Sequence, residues 1–286
     1  MNIVLAHGIL GFDKALGIHY FNGIKEHLES KFQVRILTPK VDPVKGIKYR
    51  GRQLAKQILE ALGKTGRHPE VLDADQKVHI IAHSMGGLDS RFILSPQANQ
   101  EDNIAAFVAS LTTIGTPHQG TPVADFYYSL VDGGKREAPL ETAENKIKSS
   151  FERFGLSFDG LEDLTTWKML AFNQSYEDHP AVKYFCIAGR GRDIALKPSL
   201  GFNLTKTCAV LLPSHGYIKL KIGEDSDGLT PVSSALRPGW VKLGTWPADH
   251  FEEVGHNVDL GPTGRPAHFD YLNQYEKIVE YLRTLE

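Results

Sequence analysis

The sequence predicts an α/β fold in which a mostly parallel sheet carries helices on both faces. Short apolar stretches rich in β-branched residues alternate along the chain with longer amphipathic stretches, and this alternation is typical of parallel strands joined by helices. The chain has 286 residues, of which 41% are hydrophobic, so it can bury a substantial core. We therefore expect one domain over residues 1–286.

Six strands are predicted, and helices separate them. The strands are expected at residues 2–5, 33–37, 77–82, within 105–114, at 182–188 and at 240–243. Apolar residues recur at helical spacing in three of the intervening stretches. These are residues 20–32, the stretch with Leu54, Ile58 and Leu62, and the last stretch, with Leu272, Tyr275, Val279 and Leu282.

A tight turn containing a serine follows the third predicted strand. Ala82-His83-Ser84-Met85-Gly86 leads from this strand directly into a predicted helix, which is the context of a nucleophile elbow. Gly86 is small enough to let strand and helix approach each other, and Ala82 is one methyl larger than the glycine that is commoner there. Ser84 is therefore the candidate nucleophile, the alternative being a serine that caps an ordinary helix.

A second glycine-containing turn follows the first predicted strand. His7-Gly8-Ile9-Leu10-Gly11-Phe12 begins where this strand ends. In acyl transfer, a backbone N–H from such an early loop and the N–H of the residue after the nucleophile hold the oxyanion. Ile9 and Met85 are the predicted donors, although His7-Gly8 alone could be a simple strand exit.

An acid and then a histidine are expected after the serine, near the ends of later strands. Asp227 lies in a turn after the alternating stretch 217–222, and His250 lies in a loop after the last predicted strand. Gly228 favours Asp227, because a glycine can hold the unusual backbone that points a carboxylate inward. The residue pattern alone leaves open Asp225 and Asp249 as the acid, and His256 and His268 as the histidine.

A long insertion over residues 121–180 separates the fourth and fifth predicted strands. It combines dense aromatic residues with a polar break at Gly133-Gly134. We hypothesise a helical lid whose apolar face covers the site when closed and meets lipid when open. The alternative is a fixed helical cap whose aromatic residues stay buried. The residues concerned include Phe126, Tyr127, Tyr128, Phe151, Phe154 and Phe158.

Composition excludes several function classes. The net charge of −2 and the dispersed basic residues provide no electrostatic footprint for a nucleic acid, and no run of 18 apolar residues predicts a membrane span. Cys186 and Cys208 are interpreted as reduced core residues without zinc-site spacing. Because no leader precedes the first strand, we expect a cytoplasmic protein, or one secreted without a cleaved signal. The pattern predicts no oligomeric state.

Taken together, these motifs resemble the bacterial true lipases of the Pseudomonas, Burkholderia and Proteus type. The resemblance implies an α/β-hydrolase fold, a triad of Ser84, Asp227 and His250, and an oxyanion hole made by Ile9 and Met85. It also implies hydrolysis of triacylglycerol or long-chain acyl esters at a lipid–water interface, without a cofactor. The alternatives are a carboxylesterase or thioesterase for soluble acyl groups and an acyltransferase. The motifs include residues 7–12, 50–54, 111–120, 161–166, 172–173, 227–229 and 249–250.

One departure from that family concerns calcium. Such lipases usually hold a calcium ion near the catalytic histidine, and the resemblance places Thr207 and Glu252 at the two aspartate ligand positions. Calcium needs several oxygen ligands, usually with more than one carboxylate. We therefore expect this chain to have lost the calcium site and to use no metal.

Overall fold

A computed structural model describes residues 1–9, 19–98, 103–131, 158–191, 211–256 and 269–286. Six parallel strands form one sheet in the order β2-β1-β3-β4-β5-β6. Each prediction of a strand is confirmed, within a few residues at its ends. The strands are β1 (Asn2–Ala6), β2 (Arg35–Leu37), β3 (Val78–His83), β4 (Val108–Ile114), β5 (Lys183–Gly189) and β6 (Val241–Trp246).

Helices connect these strands and cover both faces of the sheet. Short 3₁₀ turns also occur at Ile104–Phe107 and Glu252–Val254. In chain order the helices are α1 (Ile24–Phe32), α2 (Ile47–Ala61), α3 (Met85–Leu94), α4 (Pro122–Val131), α5 (Phe158–Asp163), α6 (Thr166–Ser175), α7 (Leu212–Ile222), α8 (Val232–Ala235) and α9 (Tyr271–Arg283).

The core consists of two layers, because alternate strand residues point to opposite faces of the sheet. In β1, Val4 packs into the layer under α2 and α3, whereas Ile3 and Leu5 pack into the layer under α1 and α9. Both faces of the strand are buried, which explains why its sequence is a continuous apolar run. Each such buried aliphatic side chain stabilises the fold by roughly 1.5–3 kcal/mol.

Parallel pairing brings the carboxyl ends of three strands together. Ala6 of β1 pairs with Ala82 of β3, and His83 of β3 pairs with Ile114 of β4. The loops that follow these strands therefore leave the sheet at the same edge. In open α/β sheets, ligands bind at this edge.

The structure assigns the alternating stretch 217–222 to a helix and corrects the start of the first helix. The alternating stretch 217–222 lies in helix α7, where Ile218 is fully buried and Leu220 is 90% exposed. A proline near the start of α7 and the left-handed Gly223 (φ 73°) at its end are the better signals there. The first helix begins at Ile24, since Gly23 adopts φ 66°, and not at residue 20.

The insertion between β4 and β5 contains α4, α5 and α6 in its described part. Phe126 and Tyr127 of α4 are buried, whereas Trp167 and Leu170 of α6 are 46% and 61% exposed. Tyr128 is half-buried, and its ring packs edge-on against that of Trp167. Phe151, Phe154 and the glycine break fall in residues 132–157, outside the described residues. Whether the insertion is a lid or a fixed cap therefore stays a prediction.

One of the two cysteines lies in the described part of the chain. Cys186 is buried and unpaired in β5, in agreement with its interpretation as a reduced core residue, and Cys208 lies outside the described residues. Within the described ranges, every helix is too short or too polar to cross a bilayer.

Candidate active site

Ser84 occupies the sharp turn between β3 and α3. Its backbone has φ 56° and ψ −133°, a strained combination for a residue with a side chain, and such strain is concentrated at functional sites. Two hydrogen bonds hold the turn: Ser84 N donates to Ile114 O at 2.9 Å, and Thr116 Oγ1 donates to Ser84 O at 2.8 Å. The side chain of Ser84 is thereby presented at the carboxyl edge of the sheet.

Glycines allow two backbone segments to approach this turn. A Cβ on Gly8 would lie 2.6 Å from Ser84 Cβ and 3.0 Å from Ser84 Oγ. A Cβ on Gly86 would lie 2.7 Å from His7 O. The loop after β1 can therefore rest directly on the serine only because both positions lack a side chain. Ile9 follows Gly8 in this loop, and Met85 is the first residue of α3, where helix N–H groups lack intrahelical partners.

Asp227 and His250 form a buried pair beside the turn. His250 Nδ1 donates to Asp227 Oδ2 at 2.7 Å, and His250 N donates to Asp227 O at 2.9 Å. The other carboxylate oxygen, Oδ1, accepts hydrogen bonds from the N–H groups of Leu229 (2.8 Å) and Thr230 (2.6 Å). In the neutral ring this leaves Nε2 of His250 as the basic nitrogen.

The structure thus brings Ser84 and the Asp227–His250 pair to one edge of the sheet. The rings of His250 and His83 have centroids 4.5 Å apart, so His250 lies beside the serine turn. Among the hydrogen bonds of the described residues, none joins Ser84 Oγ to His250. Catalytic hydrogen bonds are often long or poorly aligned before substrate binds and tighten in the complex.

A second buried network, which the sequence did not reveal, lies behind the first. Glu253 Oε2 lies 2.8 Å from His83 Nε2, and His83 Nδ1 lies 2.7 Å from the hydroxyl of Tyr20. Burial, together with Asp227, Asp249 and other nearby acids, raises the pKa of the Glu253 carboxyl well above its usual value. Burial, together with His250, lowers the pKa of His83 well below its usual value.

Both shifts favour the neutral form of the group concerned. With both groups neutral, the Glu253 carboxyl can donate from Oε2 to Nε2 of His83, and the Nδ1–H of His83 can donate to the Tyr20 oxygen. Gly115 and Gly189 lack the Cβ atoms that would collide with the Glu253 carboxyl. No single motif joins Tyr20, His83 and Glu253, which are far apart in the sequence.

The other candidate acids and histidines have structural partners. Asp225 pairs with Arg190 and Lys219, and Asp249 Oδ1 accepts from the N–H groups of Phe251 and Glu252, both at 3.0 Å. His256 Nε2 donates to Tyr20 O at 2.9 Å. His268 lies outside the described residues.

Glu252, one of the two positions expected for calcium, takes part in a local turn. Glu252 Oε2 accepts a hydrogen bond from Asp249 N at 3.0 Å, and Asp249 Oδ1 accepts in return from Glu252 N at 3.0 Å. This reciprocal pair is a capping box, so both carboxylates serve the local turn. Thr207 lies outside the described residues. The ligand atoms of His83, His250 and Glu253 lie within 4.8 Å of one another, but the two networks already use them.

Comparisons with known proteins show that this chain is similar to ester hydrolases. The model of a serine esterase family, DUF676, matches residues 3–126. A triacylglycerol lipase of Vibrio cholerae is 33% identical over 265 residues, covering 88% of this chain and 78% of that protein. A triacylglycerol lipase of Pseudomonas fragi is 26% identical over 317 residues, covering 99% of this chain and 95% of that protein.

Solved structures show the same fold. The crystal structure of Staphylococcus hyicus lipase matches with a TM-score of 0.70 and 21% identity, covering 99% of this chain and 95% of that one. The mature Bacillus licheniformis lipase BlEst2 matches with a TM-score of 0.61 and 23% identity, covering 91% and 87%. The expected α/β-hydrolase fold and ester hydrolase activity are therefore confirmed. The chain belongs to the triacylglycerol lipase family of serine ester hydrolases.

Proposed function

We propose that this chain hydrolyses lipid esters, triacylglycerols above all, through an acyl-enzyme on Ser84. The observation that carries this proposal is the 2.7 Å hydrogen bond from His250 Nδ1 to Asp227 Oδ2, beside a serine whose positive φ is typical of a nucleophile elbow. The buried carboxylate fixes the ring so that its Nε2 can act as the general base.

In acylation, His250 Nε2 takes the proton of Ser84 Oγ as this oxygen attacks the ester carbonyl carbon. The carbonyl oxygen becomes an oxyanion, which the backbone N–H groups of Ile9 and Met85 stabilise. Each such donor is worth on the order of 10²–10³ in rate. The C–O bond to the alcohol then breaks, and the alcohol leaves with the proton from His250.

Deacylation repeats these steps with water as the nucleophile. His250 Nε2 takes a proton from water, the hydroxide attacks the acyl carbon, and Ser84 Oγ leaves with that proton. Asp227 keeps its negative charge throughout. Its two backbone hydrogen bonds, from Leu229 N and Thr230 N, hold the carboxylate in place beside the ring.

The lipid nature of the substrate rests on relatives and on one surface feature. The Vibrio and Pseudomonas relatives are both named triacylglycerol lipases. The exposed Trp167 and Leu170 lie on α6, and Asn173 of the same helix donates to His118 O at 2.8 Å in the loop after β4. Apolar side chains on the active-site side of the sheet suit contact with a lipid–water interface.

Within the lipases, we place this chain with the Pseudomonas, Burkholderia and Proteus type. The alignment with the Pseudomonas fragi lipase supports this placement, because it spans nearly the whole chain.

The test compares wild type and Ser84→Ala on p-nitrophenyl esters from acetate to palmitate and on emulsified triolein. Ser30→Ala, an exposed serine on α1, is the matched control. We expect Ser84→Ala to lose several orders of magnitude in kcat/KM and Ser30→Ala to match wild type. Full activity of Ser84→Ala would contradict the mechanism.

The same assay decides the substrate class. Activity on palmitate and triolein supports a lipase. Activity confined to acetate and butyrate, or to soluble acyl thioesters, supports the alternative of a carboxylesterase or thioesterase.

A further inference from the structure

We propose that His7 is a positioning residue that fixes the direction of the oxyanion-hole N–H of Ile9. The inference rests on the proposed function, because it concerns the same site. His7 is part of neither the proposed triad nor the pair of oxyanion donors. Its side chain is nevertheless hydrogen-bonded to the peptide unit that carries one of those donors.

The two partners of the His7 ring determine its protonation. Nδ1 lies 2.8 Å from Gly8 O, and a carbonyl oxygen can only accept, so Nδ1 carries a hydrogen. Val41 N donates to Nε2 at 3.2 Å, so Nε2 carries no hydrogen. The ring is therefore neutral with its hydrogen on Nδ1, and both nitrogens hold backbone groups.

The peptide bond transmits this contact to the oxyanion hole. Gly8 O and the Ile9 N–H belong to one peptide unit, which is planar and trans. In a trans unit the C=O and N–H point in opposite directions. Because Nδ1–H holds the Gly8 carbonyl, it also sets the direction of the Ile9 N–H.

Gly8 makes such a restraint necessary. With no side chain, a glycine peptide can rotate at little steric cost, and here it lies against the serine that attacks the ester. A flipped Gly8–Ile9 peptide would aim a carbonyl oxygen at the oxyanion and repel it. An oxyanion donor acts only if it is aligned before the charge develops.

A second anchor fixes the other side of the loop. The fully buried Arg50 on α2 donates from Nη2 to His7 O at 2.8 Å and from Nη1 to Asp42 O at 2.6 Å, and its Nε donates to Asp89 Oδ2 at 2.9 Å. Arg50 thus holds the peptide before Gly8, and the His7 ring holds the peptide after it. The ring also joins this loop to Val41 in the loop after β2.

The competing interpretation is that the ring of His7 only fills space. It lies 5.5 Å from the ring of Tyr20 between centroids and lines a cavity of about 490 Å³. A space-filling role would be met by any side chain of similar size. The proposed role requires a donor at the position of Nδ1.

Two substitutions separate the hydrogen bonds of the ring. In His7→Asn the side-chain amide nitrogen can take the place of Nδ1, which keeps the donor to Gly8 O and loses the acceptor for Val41 N. In His7→Gln the side-chain amide reaches the place of Nε2, which keeps the acceptor and loses the donor. His7→Leu removes both but keeps the volume.

We expect His7→Leu and His7→Gln to lower kcat by about 10²-fold, the effect of losing one oxyanion donor, with KM changed less than threefold. We expect His7→Asn to recover most of the lost kcat. Steady-state kinetics on p-nitrophenyl butyrate and inactivation by a p-nitrophenyl phosphonate ester both report this order, since both reactions build charge on the oxygen held by Ile9 N–H. Thermal unfolding of each variant monitors folding.

A different order would overturn the proposal. If all three variants keep wild-type kcat, or if the kcat of His7→Gln matches or exceeds that of His7→Asn, His7 does not act through Nδ1. If His7→Leu fails to fold, the comparison of His7→Asn with His7→Gln decides alone. Should Ser84→Ala be as active as wild type, the proposed function fails first. If Ser84→Ala is inactive and the His7 variants lack the expected order, only this inference fails.

Discussion

Asp227 differs from the neighbouring aspartate Asp225 in its burial and in the hydrogen-bond partners of its carboxylate. It is fully buried and accepts from His250 Nδ1, whereas Asp225 accepts from Lys219 and Arg190 at the surface. Asp227→Asn keeps the size of the side chain, but its amide can hold His250 in the wrong tautomer. We expect kcat to fall on the order of 10³–10⁴-fold.

The matched control for that prediction is Asp225→Asn. This change removes surface ion pairs, which are each worth about 0–1 kcal/mol, so we expect near wild-type kcat and a small loss of stability. Kinetics with a soluble ester measures both variants. An active Asp227→Asn together with an inactive Asp225→Asn would reverse the assignment of the acid.

Glu253 predicts how stability depends on pH. Burial raises the pKa of its carboxyl well above the usual 4.5, so between these two values the folded chain binds one more proton than the unfolded chain. Stability contributed by this group is present at low pH and is lost as pH rises through that interval. In Glu253→Gln the group cannot ionise. We therefore expect the free energy of unfolding of Glu253→Gln to fall less with rising pH than that of wild type. The two slopes should differ by at most about 1.4 kcal/mol per pH unit.

Urea unfolding of both proteins between about pH 5 and pH 9 tests this sign. Glu26→Gln, at an exposed carboxylate on α1, should follow the wild-type curve. Parallel curves for wild type and Glu253→Gln would mean that Glu253 is ionised in the folded chain and cannot donate to His83.

At the scale of elements, sequence reasoning succeeded where burial is uniform. β1, β3 and β5 are buried almost throughout, so their continuous apolar runs could only be core strands. It assigned no element at 217–222, which forms part of α7 and where Leu220 is apolar yet 90% exposed. The alternation of residue types there does not report an alternation of burial, and the cap residues of α7 are the better guide.

Some residues of the candidate site could be predicted from the sequence, and others could not. Ser84 lies in a turn with a local signature, so the sequence could propose it directly. For Asp227 and His250 the residue pattern left alternatives open, and the family resemblance selected between them. The network of Tyr20, His83 and Glu253 has no local signature, because it forms only when three distant segments meet. The capping box was readable from the spacing of Asp249 and Glu252, and that signal was missed.

Across the whole molecule, the parallel sheet assembles the site. Every strand ends at the same edge, so the loops after β1, β3, β4 and β6 meet there although they are far apart in sequence. The loop after β6 carries His250. His250 N donates to Asp227 O at 2.9 Å, and Asn22 N donates to Val254 O at 3.0 Å, so backbone contacts tie this loop to two other parts of the chain.

These contacts predict the effect of removing metal ions. Because Asp249 and Glu252 cap each other's backbone and Asn22 Nδ2 donates to Gly255 O at 2.8 Å, the loop that carries His250 is held without an ion. We expect EDTA to leave the rate on p-nitrophenyl esters and the unfolding temperature unchanged, and added calcium to raise neither. Glu252→Ala removes the acceptor for Asp249 N and should lower the unfolding temperature equally with and without EDTA. Loss of activity in EDTA that calcium restores would mean that the ion, and not the capping box, holds His250 in place.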